Sequence, residues 1–472
     1  MSGQHQLHGT TLRQRTAAAV QDERLRTNVA RAVDRFANHR VTGLAELESD
    51  LGGADGLRAA ARAAKQQVLA DLPALLERFA DQVLARGGHV CWAPTAEDAR
   101  RYVVDVVGRH GATRVAKSKS MATEEIDLNT ALEAAGAEVV ETDLGEWIIQ
   151  LAGETPSHII APALHKDRHQ IKDLFVDAVA APATLDTEPT ALVGFARRRL
   201  REVFLAAEVG ITGANIAVAE TGSIVLVTNE GNGRLVTALP RVHVAVLGME
   251  RLAADWAQAD LLLALLARSA TGQRLSSYTN VVTGTPGPGE VDGPDELHVV
   301  ILDNGRSDLL AGEFHEMLGC IRCGACLNVC PVYRQTGGHA YGWVYPGPMG
   351  SVLTPLLAGD QPEAAEVAGA STLCGACMDA CPVQIPLQDL LLSLRRRKAE
   401  HAGRTERAAW RAWSAAWSDP RRYGATTRAA TWGRWAADLA GRLPVGRDWA
   451  GPGRAVPRPA GERFRDRWRA GL

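Results

Sequence analysis

The 472-residue chain has almost no net charge: 52 basic against 54 acidic side chains give −2 at pH 7. That balance argues against a protein whose whole surface binds nucleic acid. Long apolar runs are also missing. The longest candidates, such as Leu261–Ala267, are about half the roughly 18 residues that a membrane-crossing helix needs. The first residues, MSGQHQLHGTTLRQR, lack the apolar core of a secretory leader. There is no G-x-G-x-x-G at a strand–helix junction and no Walker motif, so a nucleotide site has no support. A flavin site leaves no short signature, and that cofactor stays open. The remaining composition, 46% hydrophobic and 22% charged, is that of roughly two or three ordinary globular domains.

Cysteine is scarce too, with eight in the chain, but seven of them fall in two short runs. The first run is Cys320-Ile-Arg-Cys323-Gly-Ala-Cys326-Leu-Asn-Val-Cys330-Pro331, and the second is Cys374-Gly-Ala-Cys377-Met-Asp-Ala-Cys381-Pro382. The first has the C-x₂-C-x₂-C-x₃-C-P spacing of bacterial ferredoxins, whose fourth cysteine serves the other cluster. Two-residue gaps let three thiolates wrap three corners of one Fe₄S₄ cube, and the longer gap with proline turns the next sulfur away. The spacing therefore predicts two [4Fe–4S] clusters. Cys320, Cys323, Cys326 and Cys381 ligate the first, and Cys330, Cys374 and Cys377 the second. The second lacks a fourth cysteine because Ser371 stands where one would begin that run. Its fourth iron is left to water, serine or a partner, and conversion to a three-iron form is expected. Zinc sites use separated pairs of ligands, disulfides suit small secreted chains, and a redox pair needs a single C-x-x-C. None of these explains seven cysteines at this spacing. Exposed cluster thiolates need a reducing compartment, so the expected location is the cytoplasm, with membrane association only through a partner.

Four segments follow from the pattern along the chain. Residues 1–80 are a helical N-terminal segment with core positions such as Val29, Val33 and Phe36. Residues 81–305 alternate strands with helices, predicting an α/β domain with a mostly parallel sheet. In one unit, 114–116 is a strand, 117–120 a loop, and 124–135 a helix capped by Thr123; 137–141 returns as a strand. Ile216–Val227 predicts a hairpin about Glu220-Thr221-Gly222. Residues 306–400 form a helical ferredoxin-type module, with helices filling the gap between the cysteine runs. Residues 401–472 form an Arg/Trp-rich helical tail holding 15 arginines and seven of the eleven tryptophans, including Trp449. Trp410, Trp413 and Trp417 line one helix face, read first as packing on the protein's own body and next as docking on a partner.

Lys117, Ser118, Lys119 and Ser120 stand at the carboxyl end of a strand, just before a helix. That place suits an anion such as a carboxylate, although a solvated capped loop explains it equally well. Glu220 is a weak candidate acid–base group, since turn chemistry also explains it. His158, His165 and His169 would need a converging carboxylate to hold a metal, and surface or core histidines are the simpler reading. Cys91, in an apolar run, reads as a small buried hydrophobe.

Several stretches resemble the lactate utilization protein B family over nearly the whole chain. They are Lys117-Ser118-Lys119-Ser120-Met121, Glu141-Thr142-Asp143-Leu144-Gly145-Glu146, Ser157-His158-Ile159-Ile160, Gly213-Ala214-Asn215, Glu220-Thr221-Gly222 and Asn229-Glu230-Gly231-Asn232, followed by the two cysteine runs. The resemblance implies a lactate-utilization domain similar in fold to sugar-phosphate isomerases and CoA transferases, with a module like the helical ferredoxin of succinate dehydrogenase. It also implies that three cysteines in the second run are a family trait. The implied function is electron transfer during oxidation of L-lactate to pyruvate, with two companion proteins and an unknown electron acceptor. Two rival readings are a self-contained lactate-binding oxidoreductase and a cluster-based redox sensor. Hydride chemistry needs a two-electron acceptor, which one-electron cubes do not supply, so that step falls to a companion or to a further cofactor.

Overall fold

The structure is a computed structural model; it describes residues 7, 9–51, 53–359, 361–401, 403–436 and 458–471. Compactness divides the chain into residues 1–394 and 395–472.

In the larger unit, six strands form a wholly parallel sheet. They are β1 (His89–Ala93), β2 (Arg114–Lys117), β3 (Glu138–Glu141), β4 (Val209–Thr212), β7 (Val242–Gly248) and β10 (Glu296–Leu302). Their order is β1-β10-β7-β4-β2-β3. The central strands alternate faces with period two. Val242, Val244, Val246, Val300 and Leu302 face one core, whereas Ala245, Leu247, Leu297, Val299 and Ile301 face the other. The helix Ala96–Arg109 covers the first face through Val103, Val106 and Val107, and Leu72–Ala85 covers the second through Leu76, Phe79 and Val83. A smaller sheet joins β8 (Leu252–Ala253), β5 (Ile216–Val218), β6 (Ser223–Thr228) and β9 (Tyr278–Val282) in that order. β5 and β6 are the expected hairpin, with Gly222 at φ 67° in the turn.

The helix expected over 124–135 differs from what forms. Ser120, not Thr123, is the N-cap, its side chain accepting from the Thr123 N–H, and the helix Met121–Glu125 starts earlier. Asp127 at φ 48° breaks it, and a second helix runs Leu128–Ala134. The N-terminal helices also reach further than expected. Val29, Val33, Leu47 and Ala61 share one core with Cys323, Cys326, Tyr333, Val352 and Leu391, so this segment packs into the cysteine module as well as onto the α/β part. Short helices fill the gap between the cysteine runs, among them Pro331–Thr336, Gly347–Leu357 and Pro362–Glu366.

In the smaller unit, the helices Arg404–Trp417, Pro420–Trp432 and Phe464–Arg469 bury none of their residues. The tryptophan stripe packs on itself. Trp410 meets Trp413 at 5.8 Å between centroids, Trp413 meets Trp417 at 5.5 Å, and Trp417 meets Tyr423 at 5.4 Å. Trp449 lies outside the described residues. No helix among the described residues is long and apolar enough to cross a membrane.

Candidate cluster sites and the cavity beside them

The two cysteine runs are local repeats of one another. Cys320–Pro331 aligns with Ser371–Pro382, sharing Cys-Gly-Ala-Cys and, after three intervening residues, Cys-Pro. The backbone repeats as well. Arg322 (φ 59°) and Gly324 (φ 77°) flank Cys323, as Leu373 (φ 55°) and Gly375 (φ 85°) flank Cys374. A short helix then follows in each, Ala325–Asn328 and Ala376–Ala380. The left-handed glycines let the chain wrap closely and aim N–H groups inward. Ser371 takes the place of Cys320 in this repeat, down to the hydrogen bond. The Arg322 N–H donates to Cys320 Sγ at 3.4 Å, and the Leu373 N–H donates to Ser371 Oγ at 3.1 Å.

The structure brings Cys320, Cys323, Cys326 and Cys381 around one small cavity, walled by apolar groups including Met317, Met349, Val383 and Ile385. Three of these thiols are buried, and Cys320 is partly so. Burial pushes Cys323 and Cys326 up, and so does the charge each would feel from the others; Cys381 is pushed up to about 11. Four sulfurs this close and dry are poorly placed to carry thiolate charge on their own, and binding to the iron of a cluster would let them do so. Cys330, Cys374 and Cys377 form the second set: burial pushes Cys377 up to about 11, helped by Cys330 and Cys374, and burial pushes Cys330 up, with Cys374 adding to it. Cys374 is exposed, and the Thr372 hydroxyl and the Ala376 N–H hold its thiol below the usual range. The buried Tyr341 hydroxyl faces Cys330.

Arginines cradle the first set. Arg40 donates to the Ala380 carbonyl at 2.9 Å, Arg58 to the Cys381 carbonyl at 2.9 Å, and Arg251 to the Cys320 carbonyl at 3.3 Å. They come from the N-terminal helices and the β7–β8 turn, and sequence reasoning missed all of them. The signal available was Arg322, which stands inside the first run where the second has Leu373.

A larger cavity, about 270 Å³, opens at the carboxyl ends of the parallel strands. Ser118, Lys119 and Ser120 follow β2, Asp143 follows β3, and Gly213 to Asn215 follow β4; Glu250 and Arg251 follow β7, Arg306 follows β10, and Arg322 comes from the first cysteine run. Lys117 is not part of it. It is wholly buried, its Nζ donates to Glu124 at 2.8 Å and to Glu141, and these carboxylates outweigh burial to keep it charged. Beside the cavity, Arg306 bridges Glu125 (2.7 Å) and Glu250 (2.8 Å), and the Tyr345 hydroxyl donates to Glu125 at 2.6 Å. Burial works against ionisation of Glu250, yet Arg306 and Arg322 hold it down to about 2.

Glu220 is exposed on its hairpin turn and does not line the cavity. The three histidines do not converge. His158 is buried, accepts from the Ile160 N–H at 3.1 Å, lies 3.2 Å from Asn328 Oδ1, and burial pushes it down to about 3. His169 is exposed. His165 instead meets Glu154 (2.7 Å) near His339, and Lys166 holds the same carboxylate at 2.5 Å. Cys91 is half-buried against the sheet core.

An α/β domain beside a module built around two cysteine runs defines an iron–sulfur protein. The LUD domain family matches residues 76–302, and a 4Fe-4S dicluster domain matches residues 316–385. "Lactate utilization protein B" of Shouchella clausii is 47% identical over 97% of this chain and 96% of its own length. That of Bacillus subtilis is 48% identical over 83% of this chain and 81% of its own. An "uncharacterized electron transport protein YkgF" of Escherichia coli is 48% identical over 85% and 83%. The chain belongs to the lactate utilization protein B family. A crystal structure of a DUF162 family protein from Deinococcus radiodurans covers 49% of this chain and 98% of its own at 16% identity and a TM-score of 0.29, too unlike to carry an argument.

Proposed function

We propose that the chain is an electron carrier in the oxidation of L-lactate to pyruvate, working with companion lactate-utilization proteins in the cytoplasm. Cys320, Cys323, Cys326 and Cys381 hold one [4Fe–4S] cluster. Cys330, Cys374 and Cys377 would hold another, which lacks a fourth cysteine because Ser371 stands at that position of the run. When bound, such clusters accept and release single electrons. The observation that carries this reading is the exchange of ligands: each run contributes a thiol to the set built mainly by the other. The chain's own part is to keep the sulfurs dry and supplied with N–H donors, from Arg322 to Cys320 and from Ile385 to Cys381 (3.4 Å each). Residues 81–305 serve as the ligand-facing domain, 306–400 as the carrier module, and 1–80 as the helical clasp between them. The tail, 401–472, offers its half-exposed Trp410, Trp413 and Trp417 to a companion subunit. Hydride removal, with any flavin it requires, belongs to a companion.

The test uses anaerobic, cluster-loaded protein. L-lactate alone leaves the visible cluster absorption unchanged, and addition of the companion proteins bleaches it. Bleaching by lactate alone would overturn the carrier reading in favour of a self-contained oxidoreductase.

A further inference from the structure

The cavity at the strand ends contains polar atoms that the protein itself does not satisfy. Arg322 Nη1 is buried without a hydrogen-bond partner, and the same holds for Lys119 Nζ, although Glu146 Oε1 lies 3.5 Å away. Burial pushes Glu146 well above the usual carboxylate range, opposed by Lys119 itself. Asn232 Oδ1 and Thr228 Oγ1 are also buried and unpartnered, and their residues line the same cavity. A buried donor or acceptor left without a partner is costly, more so when it is charged. A ligand that satisfies these groups therefore binds against a favourable background.

The chemistry they ask for is specific. Two cationic donors suit a carboxylate. An amide oxygen acceptor beside a hydroxyl suits a ligand O–H. At about 270 Å³ the cavity is smaller than the roughly 300–1,000 Å³ of drug-sized ligand sites, too small for a dinucleotide or coenzyme A. Arg322 also belongs to the first cysteine run. Its backbone N–H donates to Cys320 Sγ, its guanidinium lies 5.0 Å from the Tyr345 ring centroid, and Glu250 is 3.4 Å away. Glu250 is already claimed by Arg306, and three guanidinium groups (Arg251, Arg306, Arg322) face two buried carboxylates, Glu125 and Glu250. The surplus positive charge lies between the first cysteine set and the cavity.

We infer that this cavity binds a small hydroxycarboxylate, its carboxylate on Lys119 and Arg322 and its hydroxyl on Asn232, and that through Arg322 its occupancy shifts the reduction potential of the cluster held by Cys320. Binding makes and breaks no bonds. A negative charge placed on Arg322 weakens that residue's stabilisation of the more negative, reduced cluster, so ligand binds tighter to the oxidised protein and lowers the potential. A tenfold preference for the oxidised form corresponds to about 59 mV for a one-electron couple. The coupling half of this inference rests on the cluster assignment above; the binding half does not.

Calorimetry with the oxidised, cluster-loaded full chain, without companions, measures L-lactate against propionate, which has the same skeleton without the hydroxyl. Lactate is expected to bind at least tenfold tighter than propionate. Lys119→Gln and Arg322→Gln each weaken lactate at least tenfold, and Asn232→Ala removes the preference over propionate. Lys119 is remote in sequence from the cysteines, so its variant stands even where Arg322→Gln loses iron. Equal affinity for lactate and propionate, or lactate affinity unchanged in Lys119→Gln, would overturn the site. A redox titration followed by EPR then reads the coupling, with lactate lowering one cluster potential in the parent and not in Arg322→Gln. Binding with no shift in either potential would overturn the coupling and leave the site.

Discussion

The two cysteine runs share a twelve-residue pattern and a backbone path, yet they stand in opposite surroundings. The first is sunk in the core, draws its fourth thiol from Cys381, and is ringed by Arg40, Arg58, Arg251 and Arg322. The second exposes Cys374, has Asp379 nearby, and puts a serine hydroxyl where its twin has a sulfur. A repeated sequence thus supplies two copies of one loop, and the environment makes them different devices. Burial, cations and N–H donors to sulfur are the means by which a protein sets cluster potential and lability.

The sharpest way to break this contrast is to remove one ligand from each set. Cys326→Ser is expected to cost at least half the iron and to lower the melting temperature, because its cluster fills a core shared with the N-terminal helices. Cys374→Ser removes only the exposed cluster and leaves the far-ultraviolet circular dichroism and the melting temperature nearly unchanged. Iron analysis with thermal melts checks both. Next in size, Ser371→Cys gives the second run the sulfur of its twin and should make that cluster as resistant to oxidation as the first, read from loss of its iron under air. Ser371→Ala should not confer that resistance.

The cavity adjoins only the first run, which gives a pH contrast. Burial and then Asp143 push Glu230 up to about 7, opposed by the Leu144 N–H and Lys119. Asp143 and Lys119 also line the cavity. Above pH 7 the ionised Glu230 adds a negative charge to the lining; below it that charge is gone. Lactate affinity should therefore rise severalfold from pH 8 to pH 6, and Glu230→Gln should flatten the profile in calorimetry. The smallest expected effects are on potentials alone. Arg40→Gln removes a cation near Cys323 and Cys381 and should lower the first cluster's potential. Tyr341→Phe removes the hydroxyl facing Cys330 and should lower the second's.

Much of this was legible in the sequence, for reasons that differ by region. The gaps of two and three residues suggested one group of four cysteines, and the structure gathers Cys320, Cys323, Cys326 and Cys381 around one cavity; their roles as ligands belong to the proposed function. The alternation of apolar runs with helical segments exposed the parallel sheet, because buried strands such as β10 are mostly Val, Leu and Ile. Surroundings were not legible. Arg40 and Arg58 lie far from Cys381 along the chain and reach its loop only through helix packing. Lys117 looked like an open loop cation, but Glu124 and Glu141, distant enough to escape a local reading, enclose it. The helix after β2 was misjudged at its start because Ser120 and Thr123 are both good caps, and only the backbone decides between them.

The proposed clusters differ in one respect above all: one is fully thiolate-bound and buried, and the other has a corner without a cysteine. EPR on anaerobically purified protein before and after mild oxidation separates them. One cluster per chain should convert to a three-iron form, the other should stay a four-iron cluster, and Ser371→Cys should abolish the conversion. No three-iron signal after oxidation, or conversion of both clusters alike, would contradict that difference.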